Sequence, residues 1–258
     1  MKTLVINLDA AVERWDRFCQ ASQMPENDVV RVSAVDGRAL PDKWAHLSKW
    51  MHLTHEPSKF NIMPAIGCFL SHRKCWSRIV EDQLPYALVL EDDARATPLA
   101  GRFISEYEAK APAIDWLKLC VHRHRDRVDS QVDINLNIAG VELCVDMRGS
   151  KSTAAYIITN HGARKALGMT KILAPIDHLE WLHARQGLLF AQTRTNLFEP
   201  DAEMESTISP QNNTSLLRLP AILRIGLVRR TIGRRQLKAN LAAIRQAVAS
   251  NSDATSTP

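Results

Sequence analysis

This 258-residue chain has no disulfide pattern. Its five cysteines, Cys19, Cys68, Cys75, Cys120 and Cys144, are odd in number and scattered, and no two are spaced as C-x-x-C. That argues against a disulfide framework or a cysteine-built zinc site. Buried thiols in a reducing compartment, the cytosol, are the expectation. Long apolar runs are missing too, and nothing approaches the roughly 18 residues of a membrane span. The opening run Met1-Lys2-Thr3-Leu4-Val5-Ile6-Asn7-Leu8 has no small-residue cleavage site and reads as a first strand rather than a signal peptide. Neither G-x-G-x-x-G nor a P-loop occurs, so the dinucleotide fingerprint is absent and P-loop phosphoryl chemistry lacks support. Acids are absent from Ser206 to Asn251, where Arg218, Arg224, Arg229, Arg230, Arg234, Arg235, Lys238 and Arg245 stand unopposed. With Asp253 included, the segment from Ser206 onward carries +7 of the net +5, leaving −2 on the first 205 residues.

Against these absences one stretch stands out, Tyr86-Ala87-Leu88-Val89-Leu90-Glu91-Asp92-Asp93. A continuous apolar run of this length suits a strand buried on both faces, as in a parallel sheet between helices. Three carboxylates at its end fall at the rim of the sheet, where open α/β folds bind ligands. Such crowded charges call for a cation or hydrogen-bond donors, and a hard divalent ion bridging to a substrate phosphate is the simplest arrangement. A solvated acidic turn is the plain alternative.

Further strands are expected over Thr3–Leu8, Val29–Ala34, Trp116–Cys120, Thr153–Thr159 and Leu188–Gln192, and helices over Glu13–Met24, Ala65–Gln83, Gly101–Ala111, His161–Met169 (with Asn160 as N-cap) and Pro175–Gln186. The helix Ala65–Gln83 places Ile66, Phe69, Leu70, Trp76, Ile79 and Val80 on one side, with His72 at the edge of that face and Ser71 off it. His46, His52 and His55 fit no common metal spacing and read as surface residues. The cluster His122-Arg123-His124-Arg125-Asp126-Arg127 reads as a loop, solvated or able to bind an anion if it faces the acidic rim. Asp177 falls in a first helical turn, where a capping or dipole role is open to it. The pattern His178-Leu-Glu-Trp-Leu-His183 has its histidines five apart and is rejected as a zinc-protease helix. From Leu216 to Val248 apolar clusters alternate with arginines, the pattern of a basic amphipathic helix on an anionic membrane surface. No aromatic is present there for base stacking, which disfavours nucleic acid. Asn251–Pro258 is small, polar and expected to be disordered.

Taken together, the blocks Val5-Ile6-Asn7-Leu8-Asp9 with Glu13-Arg14, Val35-Asp36-Gly37, Ala65-Ile66-Gly67-Cys68-Phe69-Leu70-Ser71-His72 with Trp76, Tyr86 through Asp93, Ala154-Ala155-Tyr156-Ile157-Ile158 with Gly162-Ala163, Pro175-Ile176-Asp177 and Glu205-Ser206-Thr207-Ile208 resemble the family 25 glycosyltransferases. That group includes lipopolysaccharide and lipooligosaccharide biosynthesis enzymes and collagen galactosyltransferases. The resemblance implies an α/β, Rossmann-like A-type glycosyltransferase fold with a mostly parallel central sheet flanked by helices. It assigns residues 1–210 to a glycosyltransferase domain, leaving 211–250 as the basic C-terminal segment and 251–258 as a tail.

The resemblance also implies roles. Glu91-Asp92-Asp93 becomes the counterpart of a D-x-D motif, with Asp93 and Glu91 binding Mn²⁺ or Mg²⁺ that bridges the diphosphate of a UDP-sugar. Glu91 also faces the nucleotide and Asp92 supports both. Asn7 and Leu8 touch the nucleoside, Arg14 offsets phosphate charge, and Ser71 and His72 line the donor site. Asp177 is the general base for inverting transfer, with Glu180 and His178 as rivals. The implied product is a sugar, galactose by family expectation, placed on a lipid-linked lipopolysaccharide core. The work would be done at the cytoplasmic face of a bacterial inner membrane, the basic segment holding the enzyme on the anionic surface. A metal-dependent nucleotidyl or phosphoryl transferase and an inactive family member serving assembly are the alternatives.

Overall fold

A computed structural model describes residues 1–21, 28–48, 62–110, 112–121, 128–172, 175–201 and 229–254. Its first strands are β1 (Thr3–Asn7), β2 (Val29–Ser33), β3 (Tyr86–Glu91) and a short β4 (Ala94–Ala96). Helix α1 (Val12–Ala21) joins β1 towards β2, and α2 (Ile62–Glu81) precedes β3. Then come α3 (Ala100–Lys110), β5 (Trp116–Lys118), β6 (Gln131–Ile138), β7 (Val141–Asp146) and β8 (Ala155–Thr159). Helices α4 (Asn160–Leu167) and α5 (Leu179–Gln186), strands β9 (Phe190–Thr193) and β10 (Phe198–Pro200), and helix α6 (Arg234–Ala254) complete the order.

Eight strands form one sheet in the order β2-β1-β3-β8-β5-β9-β7-β6. β1 runs parallel to β2 and β3, and β5 parallel to β9, while β8 and β7 oppose their neighbours. Six of the eight strands therefore point one way, as expected of a mostly parallel α/β sheet. The apolar runs explain the centre: β1 and the middle of β3 are wholly buried, as strands covered on both faces must be. The chain leaves β1 to build β2 on one side and β3 on the other. That reversal opens a crevice at the carboxyl ends of β1 and β3, the place where such sheets bind ligands.

Aromatic contacts tie α2 to the sheet. Trp116 stacks on Tyr156 with centroids 4.1 Å apart, and Trp76 meets Trp116 edge-on at 5.8 Å. Such pairs add about 0.5–1.5 kcal/mol each beyond their burial. The small pair β4–β10 closes over the far side of the acidic turn, where the Asp201 amide donates to the Asp93 carbonyl at 2.7 Å.

Several expectations need correction. The N-cap of α4 is Thr159, whose hydroxyl accepts from the Gly162 amide at 3.0 Å. Asn160 instead donates its side-chain amide to the Ile79 and Leu84 carbonyls at the end of α2. Asp177 caps nothing: α5 begins at Leu179 with His178 at its N-cap position and no side-chain capping bond. The basic segment also behaves differently from a helix lying on a membrane. Leu237, Asn240 and Ile244 of α6 are buried, with Leu241 packed on the core, and α6 contacts α5, β6 and β7. Its apolar face is thus taken by the protein, and Arg234, Arg235 and Lys238 remain outside. Residues 202–228, 255–258, 49–61 and 122–127 lie outside the described residues. With them lie much of the basic segment, His52, His55, the end of the tail and the His122–Arg127 cluster. Among the described residues no helix is long and apolar enough to cross a membrane.

Candidate active site

The crevice between β1 and β3 is a cavity of about 120 Å³. Asn7, Leu8, Arg14, Ser71, His72, Glu91, Asp92 and Asp93 all line it, together with Val35, Asp36, Gly37, Arg38 and Cys68. Eight residues chosen from sequence thus converge from β1, α1, α2 and the end of β3.

Their duties differ. Asp92 is turned inward: Arg14 Nε donates to its Oδ2 at 3.0 Å, the other guanidinium arm reaches Oδ1, and the Asn7 amide donates to Oδ2 at 2.6 Å. Asn7 spends the rest of its amide on the Ala11 carbonyl and on Arg31, whose Nε donates to its Oδ1 at 3.0 Å. Both side chains are engaged within the protein, Asp92 with Arg14 and Asn7, and Asn7 with Asp92, Ala11 and Arg31. Ser71 is likewise committed, donating to the Gly67 carbonyl at 2.7 Å and accepting from the Val35 amide at 2.8 Å. Arg14 keeps its charge firmly. Its bond to Asp92 outweighs burial and raises its pKa, and the same guanidinium lies 3.8 Å from Asp93.

Asp93 and Glu91 face the cavity. Asp93 Oδ1 is buried without a hydrogen-bond partner. Burial first, then the charges of Glu91 and Asp92, push its carboxyl up to about 6 against the pull of Arg14. Arg14 alone does not offset the three crowded acids, and a divalent cation adds the missing positive charge, so the donor set fits the metal the resemblance implies. Glu91 accepts from Thr153 Oγ1 at 2.8 Å and has His72 Nε2 at 3.7 Å. Burial works to raise its pKa, but His72 and Thr153 outweigh it and hold the carboxyl below its ordinary range.

Asp177 is not part of the cavity lining, though its charge acts on both Glu91 and Cys68. Its carboxyl is held below the usual range, because His178, Lys118 and Lys151 outweigh the burial that works the other way. It is the more accessible of the three candidate bases, its side chain 20% exposed against 4% for His178 and 7% for Glu180. Lys118, fully enclosed, donates to the Asp177 carbonyl at 2.7 Å and the Ser150 carbonyl at 2.8 Å and fixes the backbone under Asp177. Sequence reasoning gave no role to Lys118, Thr153, Arg31 or Cys68. Lys118 lies in an apolar strand that ends in a basic cluster, and nothing in the sequence marked it as buried.

Comparison with known proteins decides the family. The family model described as "Glycosyltransferase family 25 (LPS biosynthesis protein)" matches residues 1–180. The chain belongs to glycosyltransferase family 25. Among curated relatives, an Anopheles gambiae "Glycosyltransferase 25 family member" is 33% identical over 181 residues, covering 67% of this chain and 30% of that protein. Human "Procollagen galactosyltransferase 2" is 28% identical over 181 residues, covering 67% of this chain and 28% of its own length. The chain therefore spans about 30% of the length of these family 25 relatives. A crystal structure of mouse xyloside xylosyltransferase 1 in its apo form aligns over 73% of this chain and 83% of that one at 9% identity. Its TM-score of 0.37 is too low to carry an argument.

Proposed function

We propose that this family 25 chain transfers a hexose, galactose in the reading its relatives' names support, from a UDP-sugar to a saccharide hydroxyl with inversion. The observation that carries the proposal is the meeting of Arg14, His72, Glu91 and Asp93 in one crevice at the switch point, with Asp93 Oδ1 buried and unpartnered. Asp93 and Glu91 would hold Mn²⁺ or Mg²⁺, which when bound supplies charge stabilisation to the departing diphosphate.

The chain's own residues do the rest. Arg14, fixed by Asp92, holds a permanent positive charge beside Asp93. Leu8 offers an apolar edge to the nucleoside, and the backbone around Val35–Arg38 walls the opposite side. Asp177, already ionised, takes the proton from the acceptor hydroxyl as its oxygen attacks the sugar carbon, and the carbon–diphosphate oxygen bond breaks on the other face.

In this reading the acceptor is a lipid-linked lipopolysaccharide core, for which the family's description offers only the words LPS biosynthesis, and the enzyme works at the cytoplasmic face of the membrane. Any attachment there is electrostatic, through the exposed Arg234, Arg235 and Lys238, because the apolar side of α6 is occupied.

The test is UDP release by purified protein from a panel of UDP-sugars with Mn²⁺ and a saccharide acceptor. Release that stops with chelator and in Asp93→Ala supports the proposal. Release indifferent to both removes the metal assignment, and no release from any donor removes the transferase reading.

A further inference from the structure

One residue lining the cleft, Cys68, has no part in the transfer reaction. Cys68 and His72 stand four residues apart on α2 and so share a face, and that face looks onto Glu91 at the end of β3. One ligand atom from each, a thiol sulfur, a ring nitrogen and a carboxylate oxygen, lie within 4.8 Å of one another. We propose that these three residues form a second cation position in the cleft, one that takes a thiophilic divalent ion of the zinc class and competes with the hard ion at Asp93 through the shared Glu91.

Three observations carry the site. His72 is 1% exposed, and its Nε2 is buried with no hydrogen-bond partner, 3.7 Å from Glu91 Oε1. For ligands about 2.1 Å from a tetrahedral ion, a separation of about 3.5 Å is required, so this pair is already at bonding span. The ring's other nitrogen, Nδ1, is held by the Tyr156 hydroxyl at 2.9 Å, and that hydroxyl also accepts from the Trp76 indole at 3.1 Å. Glu91 Oε1, the oxygen that faces His72, also accepts from Thr153 Oγ1 at 2.8 Å and is held in place by it. A histidine whose outer nitrogen is fixed, facing a carboxylate oxygen that a hydroxyl already positions, has the outer-shell support that metal ligands carry.

The ligand types choose the ion. Sulfur and imidazole favour zinc, cadmium and cobalt, whereas magnesium and manganese prefer an all-oxygen shell. On binding, the Cys68 S–H bond breaks, its proton leaves to solvent, and the thiolate electron pair is donated to the ion, with no change of oxidation state. The competition half of the proposal rests on the metal-dependent transferase reading; the site itself does not. Glu91 cannot serve both ions fully, so zinc should weaken manganese-supported nucleotide binding.

The experiment is Co²⁺ titration of the full chain, followed by the near-ultraviolet sulfur-to-cobalt charge-transfer band, with Cys68→Ser and Asp93→Ala as variants. A band that appears in the native protein, survives Asp93→Ala, and is lost in Cys68→Ser with cobalt affinity down at least about tenfold is the expected result. No band at saturating cobalt, or an unchanged band in Cys68→Ser, overturns the site. Because a variant can misfold, Cd²⁺ protection of Cys68 against iodoacetamide is mapped by mass spectrometry in the unaltered protein, and absent protection also overturns it. Manganese-dependent UDP binding without a cobalt–thiolate band removes this site alone. The band without manganese-dependent UDP binding removes the metal assignment at Asp93, and with it the competition, and leaves the site standing.

Discussion

Arg14 on α1 grips Asp92 at the end of β3, with Nε 3.0 Å from Oδ2 and a second arm on Oδ1, across 78 residues of chain. The pair is mostly enclosed, 22% and 10% exposed at the two side chains. It makes the middle acid of the triplet a clamp on the cation beside Asp93 rather than a ligand. Arg14→Ala removes the partner of a nearly buried carboxylate and should cost about 3 kcal/mol, the low end for breaking such a pair. Arg14→Lys keeps the charge but loses the two-armed grip. Chemical denaturation should order the three proteins native, Lys, Ala, with UDP affinity falling in the same order.

The second prediction concerns how closely α2 approaches the loop after β2. A β-carbon built on Gly67 would stand 2.5 Å from the Gly37 nitrogen and 2.6 Å from the Val35 carbonyl oxygen. Backbone cannot yield there as a flexible side chain would. Gly67→Ala should therefore widen the crevice wall and lower both stability and UDP affinity. Gly101→Ala, where nothing lies within 4 Å, should be neutral or gain up to about 1 kcal/mol from helix propensity. Thermal melts of the two variants separate a steric effect from a general loss of glycine.

Much of this site was legible because a few residues carry strong local signals. The run Tyr86–Leu90 ending in three acids marked both a buried strand and the acids that line the crevice at its end, and the Gly67–His72 block marked the helix facing it. The division of labour within the acids was not legible. Asp92 and Asp93 are identical neighbours lining the same cavity, and only the fold pairs one with Arg14 and Asn7 and leaves Oδ1 of the other without a hydrogen-bond partner. The hairpin β6–β7 went unread because its turn uses Ala139 and Gly140 at φ 55° and 82°. That is a geometry the pair Asn-Gly announces and alanine does not. The buried face of α6 shows the same limit. Leu237, Leu241 and Ile244 form an apolar stripe whether the partner is lipid or protein, and only Asn240, polar and fully buried, betrays a protein partner.

Asn240 gives the third prediction. Its Nδ2 donates to the Phe190 carbonyl at 2.8 Å and its Oδ1 accepts from the Phe190 amide at 3.0 Å, so it completes both backbone groups at the start of β9. Asn240→Leu leaves those groups buried and unpaired, at about 1–3 kcal/mol each. Faster proteolysis within α6, with a lower denaturation midpoint, is the expected result. Unchanged proteolysis would mean that α6 is held by its apolar contacts alone.

The fourth concerns acid stability. Burial works to raise the Glu180 pKa, but the hydrogen bond and charge of His178 prevail and set it below its ordinary 4.5. The folded protein therefore binds this proton less readily than the unfolded chain. Its contribution is complete above about pH 4.5 and is lost as pH falls through the lower folded value. Glu180→Gln should be less stable than the native protein at neutral pH and should lose less on acidification. Urea denaturation at pH 7 and again below pH 4.5 measures both slopes.

Asp93 is the residue on which nucleotide binding depends in the proposed reaction. Calorimetric titration of UDP into the purified protein, with Mn²⁺ and then with chelator, should show binding that depends on the metal and is lost in Asp93→Asn, a change that keeps shape and removes charge. UDP binding of equal strength in Asp93→Asn, or in the presence of chelator, would contradict it.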